Sequence, residues 1–355
     1  MRLLPLFVLI SLSLVRPASA QQTPFSSASI SGLGARNIGS ATMSGRVSAL
    51  DARREPSGKL TIFVGAASGG VWKSEDSGTT YRPVFDEQPV QSIGAITIDP
   101  KNSKNVWVGT GECWTRNSVS LGDGIYKSTD GGETWEHSGL PNSERISQII
   151  VSPKSSDTVY AAVPGRLWSD SADRGLYKTT DGGKTWAQIT GHGFPARTGR
   201  IGIAVSPADA SRVYALVDAK AGGIYRSDDG GATWSHSDGE ERIWTRGWYF
   251  GGITADPKNA DELYVMNTST YRSTDGGKSF VAIKGAPGGD DYHTLWIDPT
   301  APERMILGTD QGVVISIDDA RTWSSWYNQP IAEVYNVATD YRFPYWATGS
   351  QQDSG

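Results

Sequence analysis

Three stretches hold the residue types best suited to chemistry. GTGECWTRNSVSLGDG (109–124) carries Glu112, Trp114, Arg116 and Asn117. It reads either as a loop that grips a ligand or as a hydrogen-bond hub between structural units. ERIWTRGWYFGG (241–252) gathers Arg246, Trp248 and Tyr249 with Arg242 and Trp244. If extended, it points Trp244, Arg246 and Trp248 to one side; the alternative is that its tryptophans pack in the core. GGDDYHTLWIDP (288–299) places Asp290 and Asp291 beside His293. Such a group can exchange protons as general acid and base or form half a metal site, and it can equally be a bonded cluster lining a channel. No compact metal-ligand spacing such as HExxH occurs, so neither a metal nor a cofactor is expected.

The elements that must position these residues come from a repeat. STDGGETW (128–135) returns as SEDSGTTY, TTDGGKTW, SDDGGATW, STDGGKSF and SIDDARTW, with its aspartate at Asp76, Asp130, Asp181, Asp229, Asp275 and Asp318. The aspartate spacing shrinks from 54 to 43 residues, the period of a propeller blade. Each unit has one grammar: an apolar strand ending in Asp-Pro or Ser-Pro, a second strand, a loop, a third strand such as GIYKST, the DGG turn, and a short fourth strand. Proline ends ladder pairing, and Gly132 takes positive φ at low cost while Asp130 accepts from amides of its own turn. The six aspartates are thus expected to be turn staples; the turn is too short for a calcium loop. Ala320, where glycine is expected, implies a strained turn in the sixth copy.

The fold class is therefore all-β, a seven-bladed-type β-propeller of four-stranded antiparallel blades with six complete blades and a partial seventh. Domain limits are a signal peptide over 1–20, an N-terminal arm over 21–45 and the propeller over 46–355. The signal rests on Arg2, the apolar run 3–15 and Ala18-Ser19-Ala20, and predicts a secreted or periplasmic chain cleaved after Ala20 with no membrane insertion. Cleavage leaves 31 basic and 38 acidic residues, 31 − 38 = −7, which favours neither nucleic acid nor an anionic membrane. Cys113 is the single cysteine, so stability rests on burial and strand pairing without an intramolecular disulfide. The segment 333–355 repeats only the first two strands of a blade. An open seam exposes strand edges, so the chain is expected to be a fragment of a longer protein, or its arm to complete the seventh blade.

In a propeller, the loops entering the innermost strand and those joining the second to the third strand share one end, around the channel mouth, and the DGG turns lie at the other. This sorting places Arg46, Trp114, Arg116, Asn117, Arg246, Trp248, Tyr249, His293, Gln311, Gln352 and Asp353 at the mouth as candidate ligand-binding residues. Glu112, Asp290 and Asp291 are the candidate catalytic carboxylates. Arginines, acids and flat apolar faces together suit a glycan, peptide or protein ligand.

The repeated box is the signature of the BNR or Asp-box family. MSGRV (43–47), ASGGVWKS (67–74), GTGE (109–112), RNSVSLGDGIYKSTDGG (116–132) and FPYWATGSQQDSG (343–355) resemble secreted bacterial sortilin-like BNR-repeat proteins termed glycosyl hydrolases. The resemblance implies a propeller and leaves function open between classes. The first expectation is a binding module of the sortilin N-terminal type. The alternative is a glycoside hydrolase, xyloglucanase-like or sialidase-like, using two carboxylates at the mouth. Against it, the xyloglucan-cleaving enzymes divide their acidic pair between two propellers, and no FRIP-like segment of a sialidase is present. A photosystem assembly scaffold is a third reading, resting on size and shape alone.

Overall fold

The computed structural model describes residues 46–115, 119–285, 290–325, 329 and 334–351. The signal and arm expectations (1–45) lie outside them, as do Arg116, Asn117, Gln352 and Asp353. The first blade is β1 (Val47–Arg54), β2 (Leu60–Ala66), β3 (Val71–Ser74) and β4 (Arg82–Pro83). Blade two is β5 (Ile93–Ile98), β6 (Val106–Thr110), β7 (Ile125–Ser128) and β8 (Glu136–His137). Blade three is β9 (Gln148–Ser152), β10 (Ser155–Val163), β11 (Gly175–Thr179) and β12 (Ala187–Gln188). Blade four is β13 (Ile201–Val205), β14 (Val213–Val217), β15 (Gly223–Ser227) and β16 (Ser235–Asp238). Blade five is β17 (Gly252–Ala255), β18 (Leu263–Met266), β19 (Thr270–Ser273) and β20 (Val281–Lys284). Blade six is β21 (Tyr292–Ile297), β22 (Met305–Thr309) and β23 (Gly312–Ser316), and a hairpin of β24 (Val334–Thr339) and β25 (Ala347–Gln351) follows.

Every blade is an antiparallel meander in chain order. In blade six the described residues show no fourth strand but a contact: Ser324 N donates to Ile315 O at 2.8 Å and Ser324 Oγ accepts from Ile315 N at 2.9 Å. The first strands of blades two to six end just before the proline of Asp-Pro or Ser-Pro, as the loss of a ladder donor requires. The core lies between blades, so the inner strands of blades two to five are buried on both faces, while blade six leaves Trp296, Ile306, Val313 and Ile315 exposed on one. Tyr160 and Leu176 of blade three pack with Ile201, Val213 and Val217 of blade four, and Tyr264 of blade five packs with Leu295 and Leu307 of blade six. Burial of this kind contributes about 1.5–3 kcal/mol per large side chain. Neighbouring innermost strands are also bonded: Ser48 Oγ donates to Ile93 O (2.6 Å), Thr97 Oγ1 to Ile149 O (2.5 Å) and Thr254 Oγ1 to Leu295 O (3.2 Å).

The segment 241–250 departs from the extended reading. Glu241–Ile243 is a 3-10 turn, and Gly247 N→Trp244 O (2.7 Å) and Phe250 N→Arg246 O (2.8 Å) continue the coil, so alternation of side chains does not apply. Trp244 instead packs against Gly222, where an added Cβ would lie 2.8 Å from the indole.

Candidate functional site

The two ends of the blades are built differently. At the box end, Asp130 Oδ1 accepts from Ser128 Oγ (2.7 Å), Glu133 N (3.0 Å) and Thr134 N (3.0 Å), and Oδ2 accepts from Thr134 Oγ1 (2.6 Å). The carboxylates of Asp76, Asp181, Asp229, Asp275 and Asp318 repeat the Ser/Thr hydroxyl and amide bonds. Donation from Thr80 holds Asp76 down at about 2, and Thr233 does the same for Asp229. Each box turn is also clamped to the first turn of its own blade, as by Gly131 N→Lys104 O and Gly276 N→Asp261 O, both 2.8 Å. A cation on the third strand then reaches the next blade's box end. Lys127 Nζ donates to Gly182 O (2.9 Å), Lys178 Nζ to Gly230 O (2.7 Å), and Arg272 pairs with Asp319 (3.0 Å). This recurring cation was missed in the sequence because KS, KT and RS look like ordinary wet strand residues. At the same register blade six has Ile315, 48% exposed. Asp319 and Ala320 both sit at φ 62°, so the sixth turn keeps its bonds in the left-handed backbone region that glycine would relieve.

At the mouth, loops from different blades meet. Glu112, 2% exposed, ion-pairs with Arg46 and accepts nothing from the open cleft described below; its amide donates to Ser92 Oγ at 3.0 Å. Trp114 crosses from blade two to lie edge-on to Tyr249 (5.7 Å) and His293 (5.3 Å), with the Arg200 guanidinium 4.9 Å over its ring. Thr115 Oγ1 donates to Trp248 O at 3.0 Å. Arg246 reaches Asp291 at 3.3 Å and stacks near Phe250, Tyr249 and Trp248. Asp290 accepts from Tyr292 Oη (2.9 Å) and Gln311 Nε2 (3.0 Å), and Asp310 accepts from His293 at 2.6 Å. The ligand atoms of Asp291, His293 and Asp310 lie within 4.8 Å of one another. Arg246 compensates one of those carboxylates, Asp310 holds His293 Nε2, and His293 Nδ1 is buried without a hydrogen-bond partner among the described residues. The structure thus brings Arg46, Glu112, Trp114, Arg246, Trp248, Tyr249, Asp290, Asp291, His293 and Gln311 to one end. It gives Glu112, Asp290 and Asp291 partners of their own.

Beside this network an open cleft of about 230 Å³ lies between the long loop of blade three, the entry to blade four and the connection to blade five. Trp168, 71% exposed, and Trp248, 54% exposed, line it with Arg166, Arg174, Arg200 and Asp218. Asp218 follows β14. Its backbone is fixed by Asp218 N→Arg200 O (3.0 Å) and Gly199 N→Asp218 O (2.5 Å). A Cβ at Gly199 would lie 2.2 Å from its Oδ2, and one at Gly247 3.2 Å from its Cβ, so two glycines make room for this carboxyl. Burial pushes it above the ordinary carboxylate value, against the pull of the Arg174 guanidinium. Sequence reasoning passed over Asp218, Arg166 and Arg174; VDAKAGG resembles any strand-ending turn.

A family profile described as "Sortilin, neurotensin receptor 3" matches residues 69–194, and the BNR/Asp-box repeat profile matches residues 225–236. The chain is a β-propeller that carries a BNR/Asp-box repeat at residues 225–236. This propeller is 24% identical over 249 residues to the xyloglucanase Xgh74A of Acetivibrio thermocellus, covering 65% of the chain and 25% of the relative. It is 30% identical over 142 residues, 36% of the chain and 15% of the relative, to an oligoxyloglucan-reducing end-specific xyloglucanase of Emericella nidulans. The chain therefore spans about a quarter or less of the curated relatives it matches. Among solved structures, an ancestral GH74 enzyme superposes with TM-score 0.60 at 19% identity, over 85% of the chain and 40% of the enzyme. YCF48 bound to D1 peptide superposes with TM-score 0.52 at 13% identity, over 86% and 89%. These likenesses carry the fold. Among the described residues no helix is long and apolar enough to cross a membrane.

Proposed function

We propose that this propeller engages a glycan chain in the cleft beside the channel mouth, as one propeller of a glycoside hydrolase of the xyloglucanase type. The observation that carries the reading is the cleft itself, where two exposed tryptophans flank polar groups, the arrangement that stacks on a pyranose ring and bonds its hydroxyls. The xyloglucanase relatives favour a glycan over the peptide or protein ligand of the first expectation. Within this reading the mouth carboxylates Glu112, Asp290 and Asp291 hold the architecture, each being bonded to the protein. Asp218 is the carboxyl of the cleft without a side-chain bond or ion pair among the described residues. The N-terminal pattern Arg2 to Ala20 assigns this activity to an exported chain.

The test is titration of the full chain with xyloglucan heptasaccharide by calorimetry, alongside W168A and W248A. Wild type should bind, and each variant should weaken binding about tenfold, as expected for a lost stacking contact of roughly 1–2 kcal/mol, without lowering the melting midpoint. Unchanged binding in both variants would remove the cleft from the function.

A further inference from the structure

The charge of the cleft goes beyond what the relatives suggest. Arg166, Arg174 and Arg200 line it against the single carboxyl of Asp218. Three guanidinium groups against one acid leave the lining net positive. The protein uses only part of these groups. Arg174 donates from Nε to Pro164 O and from Nη2 to Arg166 O and Ser169 O, Arg200 donates from Nη1 to Tyr249 O, and Arg166 donates from Nε to Glu144 at 3.2 Å. Each guanidinium has five N–H donors, so each retains some for a ligand. Glu144 shares its charge between Arg166 and Arg145, and it does not line the cleft. Arg166 is itself 64% exposed at its side chain. Planar, permanently charged forks of this kind match carboxylate and sulfate oxygens in pairs.

We infer that the cleft selects an anionic sugar unit, carboxylated or sulfated, with Arg166 and Arg200 taking its charge while Trp168 and Trp248 hold the ring. The inference rests on the glycan reading above. Desolvation of Asp218 acts in the same sense, since a carboxyl that protonates more readily opposes an anion less.

The experiment titrates the full chain with trigalacturonate, a chondroitin sulfate hexasaccharide, neutral xyloglucan heptasaccharide and a polyglutamate peptide, at 50 and 200 mM salt. At least one acidic sugar should bind about tenfold more tightly than the neutral one at low salt, and the margin should shrink at high salt. R166Q should lower that margin severalfold, its loss falling on the acidic sugars more than on the neutral one; R200Q, which also loses its contact to Trp114, serves as a second variant. Whichever acidic sugar leads separates carboxylate from sulfate as the anion. Equal or tighter binding of the neutral sugar overturns the inference and leaves the glycan reading standing. Binding of polyglutamate with no sugar bound, or of none of the four, overturns both.

Discussion

The box end and the mouth end of the same six blades answer different demands. At the box end one short-range solution recurs: a carboxylate accepts from a Ser or Thr two residues back and from amides and a hydroxyl up to four residues ahead. No partner comes from farther along the chain, so the pattern survives wherever the eight-residue string occurs. At the mouth end a backbone bond recurs from the exit of the second strand to the entry of the first, as in Ala67 N→Arg46 O, Gly111 N→Ser92 O and Asp218 N→Arg200 O, but the side chains reach across distant blades. Trp114 of blade two meets Tyr249 and His293 more than a hundred residues away, and Arg246 meets Asp291. The box end can be repetitive because it closes turns within each repeat and fastens them to the neighbouring blade by one recurring cation. The mouth end varies because it must fill a channel and shape a cleft from six different loops.

Four substitutions and titrations sharpen that contrast. The largest effect belongs to the mouth. E112A leaves Arg46 without its buried counter-charge and should cost about 3 kcal/mol in urea unfolding at pH 7, whereas a surface acid such as Glu87 should cost nothing measurable. A mild loss would show that Arg46 escapes to water. At the box end the aspartates have depressed pKa values, about 2 for Asp76, Asp229 and Asp275 and lower still for Asp130. Their contribution is therefore fully present above the ordinary value of 3.8 and is lost as pH falls through the folded values. D130N should lower the melting midpoint by roughly 4 °C at pH 7, and its difference from wild type should shrink between pH 4 and 2. A difference that stays constant through that range would mean that Asp130 acts by shape alone. Smaller still, A320G should raise the midpoint by roughly 2 °C, because the left-handed backbone at φ 62° disfavours alanine and the greater unfolded-state freedom of glycine offsets part of the gain. The reverse result would show that the Ala320 methyl, buried in the core beside Met305 and Leu307, contributes more than the strain costs.

Binding belongs to the other side of the comparison. The carboxyl of Asp218 lies above its ordinary value through burial, so ionisation adds a negative charge to the cleft as pH rises through that raised value. Acidic sugars should bind more weakly as pH climbs from 4 to 7, and D218N should flatten the curve; a curve with the same slope in D218N would assign the dependence to another group.

Much of the scaffold was legible in the residues. Asp-to-Asp spacing gave the blades, proline gave the first-strand ends, and Ala320 in a glycine position gave the strained sixth turn, because each depends on neighbours within a few residues. The cations Lys127, Lys178 and Arg272 were not legible as fasteners between blades, since each needs the next blade in place before its bond exists. The sequence left 241–250 open between an extended segment and core-packed tryptophans; the structure coils it and packs Trp244 on Gly222.

By itself the sequence determined a propeller and its blade register. Those are periodic and local properties, encoded again in every repeat. Only the tertiary structure decided which mouth residues are spent on one another and which face solvent. It closed Glu112 on Arg46, set Asp291 against Arg246, and left Asp218 between two glycines in a cleft walled by Trp168 and Trp248. The physical reason is that a charge is free or paired according to what lies within a few ångströms of it, and at the mouth those neighbours come from distant blades.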